Sequence, residues 1–174
     1  PLLRRGLEQI VQQITSLHPR PRVSLTSNGI GLERRAAALA DAGLDRVNIS
    51  LDTLDPERFR QISRRNQHEK VLSGLRAAAK TDLHPVKVNA VLVRGMNDDE
   101  ALPLLHYCLE HGYQLRFIEQ MPLDAQHGWD RSSMVTAAEI MNVLSSEHRL
   151  DPHPEQRGSA PAEIDGPGPA GATV

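Results

Sequence analysis

Apolar and polar positions change period several times along the chain, and each change marks an element. Over residues 4–17, Leu7, Ile10, Val11, Ile14 and Leu17 recur at helical spacing until His18-Pro19 stops the run. A short strand is predicted from Arg22 to Thr26, ending in the loop Ser27-Asn28-Gly29. The Ala-rich run Glu33 to Ala42 reads as a helix, with Gly43 placed for the left-handed conformation after its last turn. Arg46 to Asp52 alternates strictly, with Val47, Ile49 and Leu51 on one face and Asn48, Ser50 and Asp52 on the other. Asp55-Pro56 supplies an N-cap and a first-turn proline, and a further helix covers Gln67 to Lys80.

The strand Val86 to Val93 puts Lys87 and Asn89 on one face and Val88, Ala90 and Leu92 on the other. Asn97-Asp98-Asp99-Glu100 offers a cap and N-terminal acid for a helix from Glu100 to His111, closed by Gly112. Gln114 to Glu119 is a fourth strand, and Thr136 to Glu139 is a capping box opening a helix to about His148. Strands separated by helices predict the α/β class with right-handed crossovers and parallel strands. A complete eight-fold barrel takes about 250 residues, more than the 174 present. Asp151 to Val174 holds five prolines and four glycines and is expected to be a linker or disordered by itself.

Twenty Lys and Arg against 22 Asp and Glu give a net charge of −2, which argues against a non-specific nucleic-acid binder or a polybasic membrane-surface protein. No stretch approaches the ~18–20 apolar residues of a membrane helix. With only five aromatic residues, the core must be built from Leu, Val, Ile and Ala. Cys108 is the single cysteine, so an internal disulfide is excluded and a zinc or iron–sulfur site cannot be made from thiolates of this chain. A reducing cytoplasm is the expected compartment.

In parallel α/β folds ligands bind at the carboxyl ends of the strands. All four strands here end in polar residues: Thr26, Ser27 and Asn28; Asn48, Ser50 and Asp52; Lys87 and Asn89; Arg116, Glu119 and Met121. Singly, each has a structural reading: Ser50 or Asn48 satisfying a loop amide, Arg116 and Glu119 as an ion pair, Met121 as core filler. The shared trend points to one polar site. Lys87 stands out, because a lysine in an apolar strand must pair, lower its pKa or face a ligand. It could bind phosphate, form a Schiff base, or simply snorkel. There is no GxGxxG or GxxxxGK[ST] loop, and the eight histidines lack an HExxH pair, so a histidine metal site is not expected.

Taken together, Pro1 to Arg5, Leu25-Thr26-Ser27-Asn28-Gly29, Ala42 to Asp55, Val86 to Glu100 and Leu115 to Pro122 resemble the radical S-adenosylmethionine GTP 3′,8-cyclases of molybdenum cofactor biosynthesis. Order and spacing agree over residues 1 to about 122, and more loosely to about 150. The resemblance implies part of a partial (β/α)6 TIM-type barrel over 1–122, a loop and helix over 123–150, and a Pro/Gly-rich linker or start of a C-terminal domain over 151–174. It implies conversion of GTP to 3′,8-cyclo-7,8-dihydro-GTP with S-adenosylmethionine and two [4Fe–4S] clusters as cofactors. Thr26 and Lys87 would contact GTP, with Arg116 as a further cation near the triphosphate. Ser50 and Met121 would line the S-adenosylmethionine site. Cyclic pyranopterin monophosphate synthase would act on the product; a homodimer is compatible, and the electron donor stays open.

The chain departs from the family pattern in several places. The CxxxCxxC motif and the Gly-Gly-Glu that precedes Pro1 in the family do not occur in it, nor do the three C-terminal cysteines, so an internal piece of the enzyme, inactive alone, is expected. Ser27 stands where the family usually has threonine. Cys108 matches no cluster ligand and reads as a core thiol. Two alternatives stay open: a non-catalytic nucleotide-binding derivative, and an aldolase-type barrel in which Lys87 forms the imine.

Overall fold

The alternation read from the sequence is realised as helix-linked strands in one sheet. The computed structural model describes residues 1–121, 130–152 and 165–167. Its elements are α1 (Leu7–Thr15), β1 (Ser24–Ser27), α2 (Ala36–Asp41), β2 (Arg46–Ser50), α3 (Pro56–Ser63), α4 (His68–Ala79), β3 (Val86–Ala90), α5 (Ala101–His111), β4 (Gln114–Phe117), α6 (Ala137–Ser145), β5 (Leu150–Pro152) and β6 (Asp165–Pro167). Strands β1 to β4 lie in the order β1-β2-β3-β4, and β1 and β2 pair in parallel with Leu25 opposite Val47 and Thr26 opposite Asn48. This is the α/β class expected. The chain divides into two units, Pro1–Leu51 with Phe59–Val88, and Asp52–Arg58 with Asn89–Val174.

In the first unit the core is aliphatic, as the low aromatic content requires. Leu32, Leu39, Val47, Ile49, Leu75 and Val88 are buried. Val47 and Ile49 alternate with half-buried Arg46 and Asn48, so the β2 pleat separates an apolar face from a polar one. The predicted five-residue face of α1 is only partly used. Leu7 and Val11 are buried, whereas Ile10, Ile14 and Leu17 are 37%, 38% and 58% exposed. The cause is geometric: α1 packs on α2 along a narrower stripe than the pattern allows, and Leu17 lies beyond the C-cap Ser16.

Charge fixes the start of the chain. The Arg35 guanidinium donates Nε to Glu8 Oε1 at 2.7 Å and Nη2 to Glu8 Oε2 at 2.6 Å, a bidentate fork. Its Nη1 also reaches the carbonyls of Leu2 and Arg4. Arg35 holds the Glu8 carboxyl below its usual range.

Two glycines set the loop after β1. Gly29 has φ +75°, and the Ser27 hydroxyl accepts its N–H at 3.2 Å. A Cβ on Gly74, inside α4, would stand 2.5 Å from the Gly29 carbonyl oxygen. Helix α4 thus packs directly on the backbone at the carboxyl end of β1.

In the second unit, buried polar side chains brace the backbone. Asn97 is fully buried: its Oδ1 accepts Val93 N–H at 2.7 Å, and its Nδ2 donates to Asp52 O at 2.7 Å and Val91 O at 3.0 Å. Glu100, also buried, accepts from the Thr53 hydroxyl, from Leu54 N–H at 3.2 Å and from Arg58 Nη1 at 2.7 Å. This corrects the reading of Asn97 to Glu100 as a helix cap and its acid. Asn97 makes no side-chain cap, and a 3-10 turn at Asp98–Glu100 precedes α5. The partly buried loop backbone needs these side chains more than the helix end does.

The capping box of α6 forms as expected, with Thr136 and Glu139 bonding reciprocally. The Thr136 N–H, Arg94 at 2.7 Å and the Thr136 hydroxyl push the Glu139 carboxyl down to about 2. Beyond α6, β5 and β6 pair antiparallel where the segment read as a linker begins and in its second half, with Leu150 opposite Pro167. Residues 122–129, including Pro122, and most of 153–174 lie outside the described residues.

Two substitutions test this packing. Gly74→Ala should destabilise: alanine's helix propensity is worth about 1 kcal/mol, but forcing a methyl against a carbonyl costs about 1–3 kcal/mol or more. An unchanged or raised urea midpoint would show that α4 does not press on Gly29. Asn97→Ala should lower stability by about 3 kcal/mol, because it orphans three partly buried backbone groups. Met96→Ala, at an exposed neighbour, should stay within about 0.5 kcal/mol.

Candidate functional site

Each strand seals one face under helices and leaves the other polar, so the candidate chemistry follows the pleat. In the first unit Thr26 is exposed on β1 and stands opposite Asn48 of β2. Asn48 donates Nδ2 to Thr26 Oγ1 at 3.1 Å. Its Oδ1 is buried and has no hydrogen-bond partner among the described residues. Ser50, two residues on, is exposed at the carboxyl end of β2. Lys87 lies half-buried on the neighbouring strand β3, between the buried Val86 and Val88.

The second unit carries Arg116 and Met121. Arg116 is half-buried on β4 beside the buried Leu115, and Met121 is 58% exposed beyond the strand. Asn89, at the end of β3, also has a buried Oδ1 without a partner among the described residues. Glu119 accepts Ala137 N–H at 2.7 Å, which places its carboxylate at the amino end of α6. A carboxylate there is favoured by the helix dipole.

Two of the polar strand-end residues serve the fold. Asp52 accepts Val91 N–H at 2.8 Å, and burial pushes its carboxyl up. Ser27 is buried on the helix side and holds the Gly29 turn. Cys108 is fully buried in α5, as expected, and burial pushes its thiol up to about 12. At neutral pH it is a thiol, which suits packing and not ligation.

Two features have no signal in the sequence. A cavity of about 430 Å³ opens where β1 to β3 begin, lined by Arg20, Arg22, Arg46, Asp45 and His84 among others. The Arg20 side chain there donates to Asp45 at 3.0 Å and to Gly43 O at 2.8 Å. This cavity lies at the strand starts, opposite the ends where α/β folds bind ligands. In the second unit His106 converges with the adjacent Glu147 and His148 although it lies far from them in sequence. No helix among the described residues is long and apolar enough to cross a membrane.

Comparison with known proteins agrees with this architecture. The chain is 59% identical over 164 residues to the GTP 3′,8-cyclase of Streptomyces coelicolor, covering 94% of this chain and 48% of that protein. It is 50% identical over 178 residues to the GTP 3′,8-cyclase of Mycolicibacterium smegmatis, covering 100% of this chain and 49% of that one. The chain therefore spans about half the length of these curated relatives. Among solved structures, TYW1 with a lysine-pyruvate adduct bound matches 90% of this chain and 50% of that one, with a TM-score of 0.63 at 18% identity. Coproporphyrinogen III oxidase from Escherichia coli, described as a radical SAM enzyme, matches 79% of this chain and 35% of that one, with a TM-score of 0.55 at 12% identity. The model of the Radical SAM superfamily matches residues 1–108, well over half of the sequence and all of β1 to β3. This chain belongs to the radical SAM superfamily.

Proposed function

We propose that the protein is a GTP 3′,8-cyclase of molybdenum cofactor biosynthesis and that this chain carries strands contacting its nucleotide and its cofactor. One observation carries the reading: 59% identity to such an enzyme across 94% of this chain. The polar strand faces support it, because they offer the donors and acceptors that a nucleotide and a sulfonium cofactor need.

Residue types divide the roles. Lys87 supplies a point charge and Thr26 a hydroxyl to GTP, and Arg116 adds a cation suited to the triphosphate. Ser50 supplies a hydroxyl, and Met121 a thioether, to S-adenosylmethionine. The buried, unpartnered Asn48 Oδ1 fits a ligand donor at the same strand face, since such an atom is costly to leave unpaired. The chemistry supplied by the bound cofactor is hydrogen abstraction at C3′ of GTP. The chain's own residues bind and orient the two ligands and hold the reacting carbon in place.

The iron–sulfur clusters do not fit this chain. A [4Fe–4S] cluster is held by several thiolates. The single cysteine is buried in α5 and remains a thiol at neutral pH. Cluster ligation thus belongs to residues that this chain does not contain, and the product, 3′,8-cyclo-7,8-dihydro-GTP, would pass to cyclic pyranopterin monophosphate synthase.

Titration of the natural full-length protein with each ligand tests the division of roles. Lys87→Ala should weaken GTP binding about 10–100-fold, the worth of a charge-assisted phosphate contact, and leave S-adenosylmethionine binding unchanged. Ser50→Val should do the reverse by about tenfold, with little change in the thermal midpoint because Ser50 is exposed. Equal losses for both ligands in either variant would make that residue a support of the fold. Reduction by borohydride that traps a carbonyl substrate on Lys87 would favour the imine-forming alternative.

A further inference from the structure

We propose that His106, Glu147 and His148 form a surface site for one borderline divalent cation, with Zn²⁺ as the reference ion, distinct from the cofactor chemistry proposed above. His106 projects from the middle of α5, while Glu147 and His148 follow directly on α6. The two segments are brought together by the packing of α6 on α5.

The donor atoms already converge. His106 Nε2 and His148 Nε2 are 2.9 Å apart, and Glu147 Oε2 is 3.6 Å from His106 Nε2. All three donors lie within 4.8 Å of one another. A tetrahedral zinc with bonds of about 2.0–2.2 Å spaces its ligand atoms by roughly 3.3–3.5 Å. The two spacings from His106 bracket that value, so small side-chain adjustments would seat an ion.

The backbone is held for the purpose. His148 N–H and Glu147 N–H both donate to Leu144 O, at 2.9 Å and 3.3 Å, continuing the last turn of α6. The carboxyl end of that helix carries partial negative charge and has no basic residue in its last turn, which favours a cation. All three side chains are at least partly open to solvent, so an ion can enter and a fourth position can take water.

Donor chemistry selects the ion. Two neutral imidazoles and one carboxylate suit Zn²⁺, Ni²⁺ or Cu²⁺, whereas Mg²⁺ and Ca²⁺ prefer sets made of oxygen. In the ion-free state one imidazole donates its Nε2–H to the other; for both Nε2 atoms to bind the ion, that proton passes to Nδ1 of its own ring or to solvent. Binding would clip the exit of α6 onto α5 and stabilise that contact by mass action.

The test uses the natural full-length protein with its iron–sulfur clusters intact, freed of loosely bound ions by brief chelator treatment, and its His106→Ala, His148→Ala and Glu147→Gln variants. Calorimetric titration with ZnCl₂ should show a binding event in the unaltered protein that weakens at least tenfold in each histidine variant and less in Glu147→Gln. Zinc should raise the thermal midpoint of the unaltered protein and not that of the histidine variants, and MgCl₂ should raise neither. A shift of the His106 and His148 side-chain nitrogen resonances on adding zinc gives a readout independent of stability. His106→Gln serves if the alanine variant melts early in chelator. Equal zinc affinity and equal midpoint shifts across all variants, or histidine resonances that zinc leaves unmoved, would overturn the proposal.

Discussion

The two-residue repeat of the strand is the constraint from which the rest follows. A strand covered by helices on one side must present Leu, Val, Ile or Ala there, and every second residue is then free of that demand. Val47, Ile49, Val86, Val88 and Leu115 meet the requirement and are buried. The residues between them can be amides, hydroxyls and cations because the other face does not have to be packed with hydrocarbon. Thr26, Asn48, Lys87 and Arg116 are all of this kind. Packing and binding are therefore encoded by interleaved positions, and a change in one set need not disturb the other.

What holds the loops is different in kind. Around β1 it is the absence of side chains: Gly74 lets α4 approach the Gly29 carbonyl more closely than any Cβ would permit. In the second unit it is buried polar bracing, where Asn97 and Glu100 satisfy backbone groups that would otherwise be orphaned. Both devices are sensitive to one-atom changes. Both also sit at the loops that follow strands, where a candidate site needs fixed backbone.

Local patterning made much of this legible in the sequence. The alternation of Arg46 to Asp52 located a strand and its faces, and the Thr136 to Glu139 box located the start of a helix. What escaped depends on distant partners. Nothing within Asn97 to Glu100 shows that its acid goes to Thr53 and Arg58, because those partners lie more than forty residues away. The overextended face assigned to α1 failed for a similar reason: periodicity shows which residues could be buried, and the neighbouring helix decides which are. The convergence of His106 with Glu147 and His148 needs the packing of two helices, which spacing along the chain does not encode. The polar strand ends were visible, yet Asn48 and Asn89 were only two of several until their unpartnered oxygens distinguished them.

Membership of the radical SAM superfamily and the polar positions that alternate with the buried ones on the strands are what the proposed function builds on. Its central claim is that GTP is held so that its C3′ hydrogen is the one removed. The most direct measurement supplies the natural full-length protein, under anaerobic reducing conditions, with S-adenosylmethionine and GTP deuterated at C3′. The account predicts that deuterium appears in the adenosyl product of cofactor cleavage, and that this transfer falls in Lys87→Ala. Cleavage that leaves the adenosyl product unlabelled, or that proceeds equally without GTP, would contradict it.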